Sequence, residues 1–410
     1  MTIMLPQIDS LIPVKDQGIY LFPSDTTDLV KIDLLFEAGS AYQHKKLCAA
    51  ATVKLMCTAT KAMDSAALAE FMDYRGIVVE ADSQVQQTSL TFYLLRRYAE
   101  ELLPIVRDIV YNPAFNEDDF EVWRNHRRQE ILSAEQKPST IARREFYLQI
   151  FGEQHPLGSY ATAADIDNLS MDDIRTHHTE RYVNGKVSVV LAGAVDDNLV
   201  DMVHAIFATS DKDSTRKLLS YPERQSITTR HIAMSSATQT TVRVGRLLPL
   251  SWDSAEYTRF MLLTTALGGY FSSRLMQNLR EDKGLTYGIY ARTQIYRGLI
   301  VFYITADISG GSARMAVAEI KNELSRLCNE TIPDEELHLV KTVMAGDFLR
   351  SVDGIFERSA RFCDMYATCV DEQLTVNLQR ALEETTPEQI KKLAAEYLQP
   401  ESMIVCTAGV

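Results

Sequence analysis

The chain has 410 residues, 46% hydrophobic and 24% charged, a balance that suits two or three globular domains and excludes disorder, collagen and coiled coil. A formal charge of −13 leaves no basic footprint for a phosphate backbone, so nucleic acid is not an expected partner. The N-terminus lacks an export pattern, no apolar run approaches the roughly 20 residues of a membrane span, and six cysteines without a C-x-x-C pair suit reduced thiols, so a soluble, cytoplasmic protein is expected.

In chain order, Val30 to Phe36 alternates apolar and polar residues and predicts a half-buried strand. Gly76 ends a helix and leads into a hairpin that closes with Thr91-Phe92-Tyr93-Leu94. An amphipathic helix follows, striped by Leu102, Ile105, Val106 and Ile109. Ser170 N-caps a helix with acids in its first turn that runs to Tyr182, and Val187 to Leu191 then reads as a buried strand ending in Ala192-Gly193-Ala194-Val195. The stretch Ser210 to Ser226 is polar, charged and Pro-containing, the composition of a linker.

Beyond that stretch the pattern returns. Thr241 to Arg246 takes the place of the Val30 strand, Gly284 that of Gly76, and Val301 to Ile304 that of Thr91 to Leu94. Val317, Ile320 and Leu324 stripe the next helix. Thr386 caps a helix with Pro387 at its first position, which runs through Tyr397 into Met403 to Val405 and Ala408-Gly409-Val410. The expected architecture is α+β and duplicated, with lobes over residues 1–209 and 229–410 and a linker over 210–228. Each lobe is expected to be an antiparallel sheet with helices packed mainly on one face.

No H-E-x-x-H, P-loop, G-x-S-x-G or G-x-G-x-x-G motif is present. The informative stretch runs from Gly268 to Tyr290: a Gly-rich turn, a short helix with Leu275, Met276 and Leu279 inward, a stop at Gly284 and a strand from Leu285. Arg280 and Tyr287 flank the helix-to-strand turn. Beside a functional role, the residues alone leave a structural alternative open: Arg280 as an exposed helix position, and Tyr287, which shares a strand face with Leu285 and Ile289, as core. His177 and His178 point to different helix faces without a carboxylate partner, which argues against a metal pair. Cys363 and Cys369 read as packed thiols, and His155 as a residue that shapes a turn.

Together with Phe36-Glu37-Ala38-Gly39-Ser40, Asn112-Pro113-Ala114-Phe115, His155-Pro156-Leu157-Gly158 and Val190-Leu191-Ala192-Gly193, the Phe271 to Tyr290 block resembles the insulinase or pitrilysin-type zinc peptidases. That family includes the mitochondrial processing peptidases and their small bacterial relatives, and the resemblance covers nearly the whole chain. It implies the metallohydrolase fold of the processing-peptidase type, with two similar lobes facing each other and pairs of chains closing a chamber for peptides.

The resemblance also implies a helix bearing H-x-x-E-H in the first lobe, two His binding Zn²⁺ and the Glu activating water. Here the corresponding helix, Leu47 to Met56, puts Ala50, Val53 and Lys54 at those positions. A methyl, an isopropyl and an ammonium offer no lone pair at neutral pH, and the ammonium repels a cation. No cofactor is expected in this chain, and zinc is expected in a partner. Glu130 matches the family's third ligand as a remnant, while its neighbours read it as a solvated residue pairing with His126 or Arg127. Arg280 and Tyr287 match the second-lobe pair that the resemblance implies contacts the substrate carbonyl and stabilises the oxyanion, here in trans. A guanidinium stays charged and a phenol donates one directed hydrogen bond, which suits that task.

The expected function is that of a zinc-lacking subunit in a heterodimeric metallopeptidase, inactive alone. Its expected partners are a homologous subunit bearing H-x-x-E-H and a peptide substrate, with neither nucleic acid nor membrane. The alternative is a non-peptidase scaffold or peptide-binding protein of the same fold, for which a homodimer is one arrangement.

Overall fold

A computed structural model describes residues 11–16, 18–207, 216, 218–222 and 227–410. Strands β1 (Val14–Asp16), β2 (Ile19–Pro23), β3 (Leu29–Phe36), β4 (Val78–Ser83), β5 (Thr88–Leu95) and β6 (Val187–Gly193) form one sheet in the order β1-β2-β6-β3-β5-β4. Strands β7 (Thr229–Ala233), β8 (Gln239–Leu248), β9 (Thr286–Tyr296), β10 (Leu299–Ser309) and β11 (Ile404–Gly409) form a second, in the order β7-β11-β8-β10-β9. With β1 set aside the two orders coincide strand for strand, so the repeat read from the sequence is a repeat of topology. Both sheets are antiparallel except for one parallel pair each, β2 with β6 and β7 with β11. Those pairs correct the expectation of purely antiparallel sheets. They arise because the strand that closes each lobe returns beside its first strand through a long run of helices, which a hairpin does not do.

Local signals set several boundaries. Ser170 and Thr386 each make a capping box, with the side chains of Asp173 and Gln389 returning to the cap N–H. Gly76 ends its helix at φ 62°, where a Cβ would be strained. The helix begun at Ser170 is α-helical over Met171–His178 and widens to a π-turn over Thr179–Val183.

The strand expected to be half-buried is buried on both faces. In β3 the apolar side of Ile32, Leu34 and Phe36 meets the helices of its own lobe, including Ala99–Tyr111. The opposite side, with Lys31, Asp33 and Leu35, lies beneath helix Ile355–Thr368 from the other half of the chain, through Phe356, Phe362, Cys363 and Tyr366. Lys31 Nζ sits 3.0 Å from Asp33 Oδ2 and 3.4 Å from Ser359 Oγ, and Thr91 Oγ1 donates to Asp33 Oδ1 at 2.7 Å, so both buried charges are answered there. The second sheet mirrors this arrangement. Its far face is covered by helix Pro138–Phe151 from the first half, where Phe146, Ile150 and Phe151 pack on Leu247, Val301, Ile404 and Cys406. Each lobe therefore lends one helix to the other's sheet, which alternation along a strand does not reveal.

A buried ion pair joins the lobes at the β9–β10 turn. Arg297, fully buried, grips Glu37 with both terminal nitrogens, Nη2 to Oε1 at 2.8 Å and Nη1 to Oε2 more closely. Tyr42 donates to Glu37 Oε2 at 2.6 Å, and Arg297 Nε donates to Ala367 O at 2.7 Å. The Tyr42 phenol is pushed up to about 12 by burial and by its bond to the Glu37 carboxylate. The stretch expected to be a linker, 210–228, falls partly outside the described residues. Its described part is pinned, with Leu219 N–H bonded to Arg297 O at 3.0 Å and Arg216 stacked 3.4 Å above the Tyr366 ring centroid.

Candidate functional site

Helix Cys48–Met56 presents Ala50, Val53 and Lys54 to a groove of about 630 Å³, whose other wall is Trp123, His126, Arg127 and Glu130 of helix Glu117–Glu135. The four positions that the family pattern aligns with metal ligands and base thus converge on one concavity, with the end of β4 between them. Glu130 turns back onto its own helix, with Oε2 2.8 Å from Arg127 Nη1 and Oε1 3.5 Å from His126 Nδ1. Its hydrogen bond to the Arg127 guanidinium holds the carboxyl below the usual range. Zinc does not fit this donor set: two aliphatic side chains, an ammonium and one carboxylate already engaged by cations. Among the described residues no three His, Cys, Asp or Glu side chains gather as a metal group.

In the second lobe, Leu275, Met276 and Leu279 are buried as expected, and the helix around them is a π-turn over Met276–Asp282. Gly284, at φ 60°, stops it, with its N–H on Arg280 O at 3.1 Å and the Leu285 N–H on Leu279 O at 2.8 Å. Strand β9 starts at once, held to the turn by Ile289 N–H on Met276 Sδ at 3.4 Å. Its register to β10 slips here: Ile289 pairs with Ala306 but Thr286 with Ile308, so Tyr287 and Gly288 together face Asp307. The Thr286 hydroxyl staples this bulge, lying 2.8 Å from Asp307 O and 2.9 Å from Gly288 O and accepting from Gly288 N–H at 3.1 Å.

The bulge decides where the phenol goes. Leu285 and Ile289 are buried at 7% and 0% exposure, whereas Tyr287 is 89% exposed. The structural alternative of Tyr287 as core is thereby removed, because the extra residue breaks the alternation on which it rested. Arg280 is partly exposed, with Cζ 4.6 Å from the Phe271 ring centroid and Nε 3.4 Å from Glu281 Oε1. Guanidinium and phenol stand on adjoining elements, the π-turn and the first residues of β9.

The remaining candidates are structural. His177 Nε2 lies 3.1 Å from Ala38 O and His178 Nε2 2.7 Å from Val110 O, both rings buried. Burial pushes the His177 imidazole down to about 4 and lowers His178 as well. Since the folded His177 resists protonation that the unfolded chain accepts near 6.5, its stabilising effect is complete above that pH and is lost as pH falls from about 6.5 to 4. Acid titration of thermal stability is expected to show that loss, of the order of 3 kcal/mol, and His177→Gln is expected to reduce it, leaving the part that His178 contributes. His155 stacks on Phe151, accepts the Leu157 N–H at Nδ1, and so donates from Nε2 to Ser220 O at 3.1 Å, shaping its turn. Burial raises the Cys363 thiol well above its ordinary value. Sequence reasoning passed over the Glu37–Arg297 junction. The Phe36-Glu37-Ala38-Gly39-Ser40 stretch drew attention to the acid, but its partner lies in the other lobe.

Residues 20–161 match the family described as Insulinase (Peptidase family M16), and residues 168–344 match that described as Peptidase M16 inactive domain. An "Uncharacterized zinc protease" of Rickettsia bellii is 25% identical over 345 residues, covering 82% of each chain. A "Non-peptidase homolog YmxG" of Helicobacter pylori is 21% identical over 336 residues, covering 77% of this chain and 74% of the relative. A solved M16 inactive domain from Pseudomonas fluorescens shares the fold with a TM-score of 0.83 at 20% identity, covering 95% of both chains.

Proposed function

The chain belongs to the insulinase family of peptidases, M16, with a second half of the inactive type, and from that premise we propose that it is a zinc-lacking subunit of a two-chain metallopeptidase. In this reading it binds extended peptide and lends Arg280 and Tyr287 to a partner that carries the metal. The observation that carries the proposal is the exposure of Tyr287 at 89%, on a bulge beside Arg280. A large aromatic turned into solvent contributes little to packing. Facing a substrate carbonyl, its O–H and the guanidinium form a pair of donors for an oxygen that gains charge, and neither group competes for the proton. The groove lined by Ala50, Val53 and Lys54 supports the same division of labour, since hydrolytic chemistry there would need donors that it lacks. Among the described residues no helix is long and apolar enough to cross a membrane.

A pure scaffold of the same fold is the second reading, favoured by the resemblance to the H. pylori non-peptidase homolog. Purification from the native cell separates the two. The subunit reading expects a second, homologous chain bearing H-x-x-E-H to accompany this one. Recovery of this chain only as a homodimer would support the scaffold.

A further inference from the structure

On the far face of the second sheet, next to the bulge, a pocket of about 390 Å³ opens between β9, β10 and the start of helix Pro138–Phe151. Ser139, Thr140, Arg143, Arg243, Gly288 and Asp307 line it. Arg243 is 8% exposed, its Nε is buried without a hydrogen-bond partner, and it forms no ion pair with any described residue. Its guanidinium rests on aromatic rings, with Cζ 3.9 Å from the Tyr303 centroid and 5.3 Å from Phe146.

The other lobe supplies an internal comparison. Asp33 pairs with Val190 across the first sheet as Arg243 pairs with Cys406 across the second, so the two residues hold the same place in the repeat, each under the helix lent by the opposite lobe. Asp33 is answered within the chain by Lys31 and Thr91. Arg243 has no carboxylate or hydrogen-bond partner among the described residues, only the rings it rests on, and a largely buried guanidinium without an anion is costly for a fold to carry. Around it, Arg143 adds a second guanidinium, and the helix that begins at Pro138 has no side-chain N-cap, so its first turn offers free positive dipole to the same space. The one acid on the rim, Asp307, has an oxygen engaged by the Thr241 hydroxyl.

We infer that this pocket is a carboxylate-binding subsite, in which Arg243 and Arg143 receive a carboxylate of an extended peptide lying past Tyr287. The carboxylate is supplied by the peptide's C-terminus or by an acidic side chain. The inference rests on the peptide-binding part of the reading above. A planar fork with free N–H groups suits a carboxylate, which would complete the coordination that the chain itself leaves open.

The test uses the full chain and one labelled, otherwise neutral decapeptide in three forms: free C-terminal carboxylate, C-terminal amide, and amide with a single internal Glu. Fluorescence anisotropy is expected to show the two carboxylate-bearing forms, or the one that supplies the right source, binding about 10- to 100-fold more tightly than the neutral amide. Arg243→Met is expected to abolish that preference while melting no lower than the native chain, since it removes a largely buried charge that no carboxylate answers and keeps an apolar side chain against the rings. A guanidinium present only for structure would instead lose stability. Arg143→Ala, at an exposed position, is expected to weaken the preference, and Asp307→Asn to strengthen it. Equal binding of all three peptides, or a preference that survives both arginine substitutions, would overturn the inference and leave the proposed function standing. Failure of every peptide to bind would overturn both.

Discussion

Substituting Arg280 by Ala, or Tyr287 by Phe, is expected to lower kcat of the assembled two-chain peptidase by roughly 100-fold or more, the typical worth of one oxyanion donor. Both groups would bind the carbonyl oxygen most strongly as it gains charge, so kcat and kcat/KM should fall together, with KM little changed. Stability should stay within about 0.5 kcal/mol of the native chain, because Tyr287 is exposed and Arg280 partly so. That pairing of a large kinetic loss with an unchanged melting curve separates a catalytic pair from a packing pair. Unchanged rates would leave the exposed phenol without a function in hydrolysis.

Cutting the bridge between the lobes should have the largest effect on stability. In Glu37→Ala the fully buried Arg297 guanidinium keeps only the Ala367 carbonyl and the Tyr42 oxygen as neutral partners. Removing one member of a buried ion pair costs about 3–5 kcal/mol, of which the stranded charge is the main part. The melting midpoint should fall by of the order of 10 °C, and the double variant Glu37→Ala, Arg297→Met should recover much of it. Tyr42 offers a second readout, since loss of the carboxylate beside it should let its phenol ionise at lower pH than the native value of about 12. If Glu37→Ala melts like the native chain, the junction is not what holds the lobes together.

What the sequence disclosed was local, and what it withheld was remote. Capping boxes at Ser170 and Thr386, the glycine stops at Gly76 and Gly284, and the inward face of Leu275, Met276 and Leu279 are written within a few residues of where they act. The second face of β3 was misread because the residue that meets Lys31, Ser359, lies 328 positions away. The outward turn of Tyr287 was not legible because the register that produces it is set by β10, through Asp307, and period-two alternation has no term for an inserted residue. The convergence of Ala50, Val53, Lys54 and Glu130 on one groove followed from family resemblance, since nothing in those residue types marks them as neighbours. Arg243 drew no notice because an arginine in a strand looks like any exposed position until its missing partner is seen.

The most direct test of the account is the rate of peptide hydrolysis by the H-x-x-E-H subunit alone and with this chain added in increasing ratio. The account predicts that hydrolysis rises with each addition and levels off at one chain per partner, while this chain alone cleaves nothing. A rate that stays at the partner's own level at every ratio would contradict it.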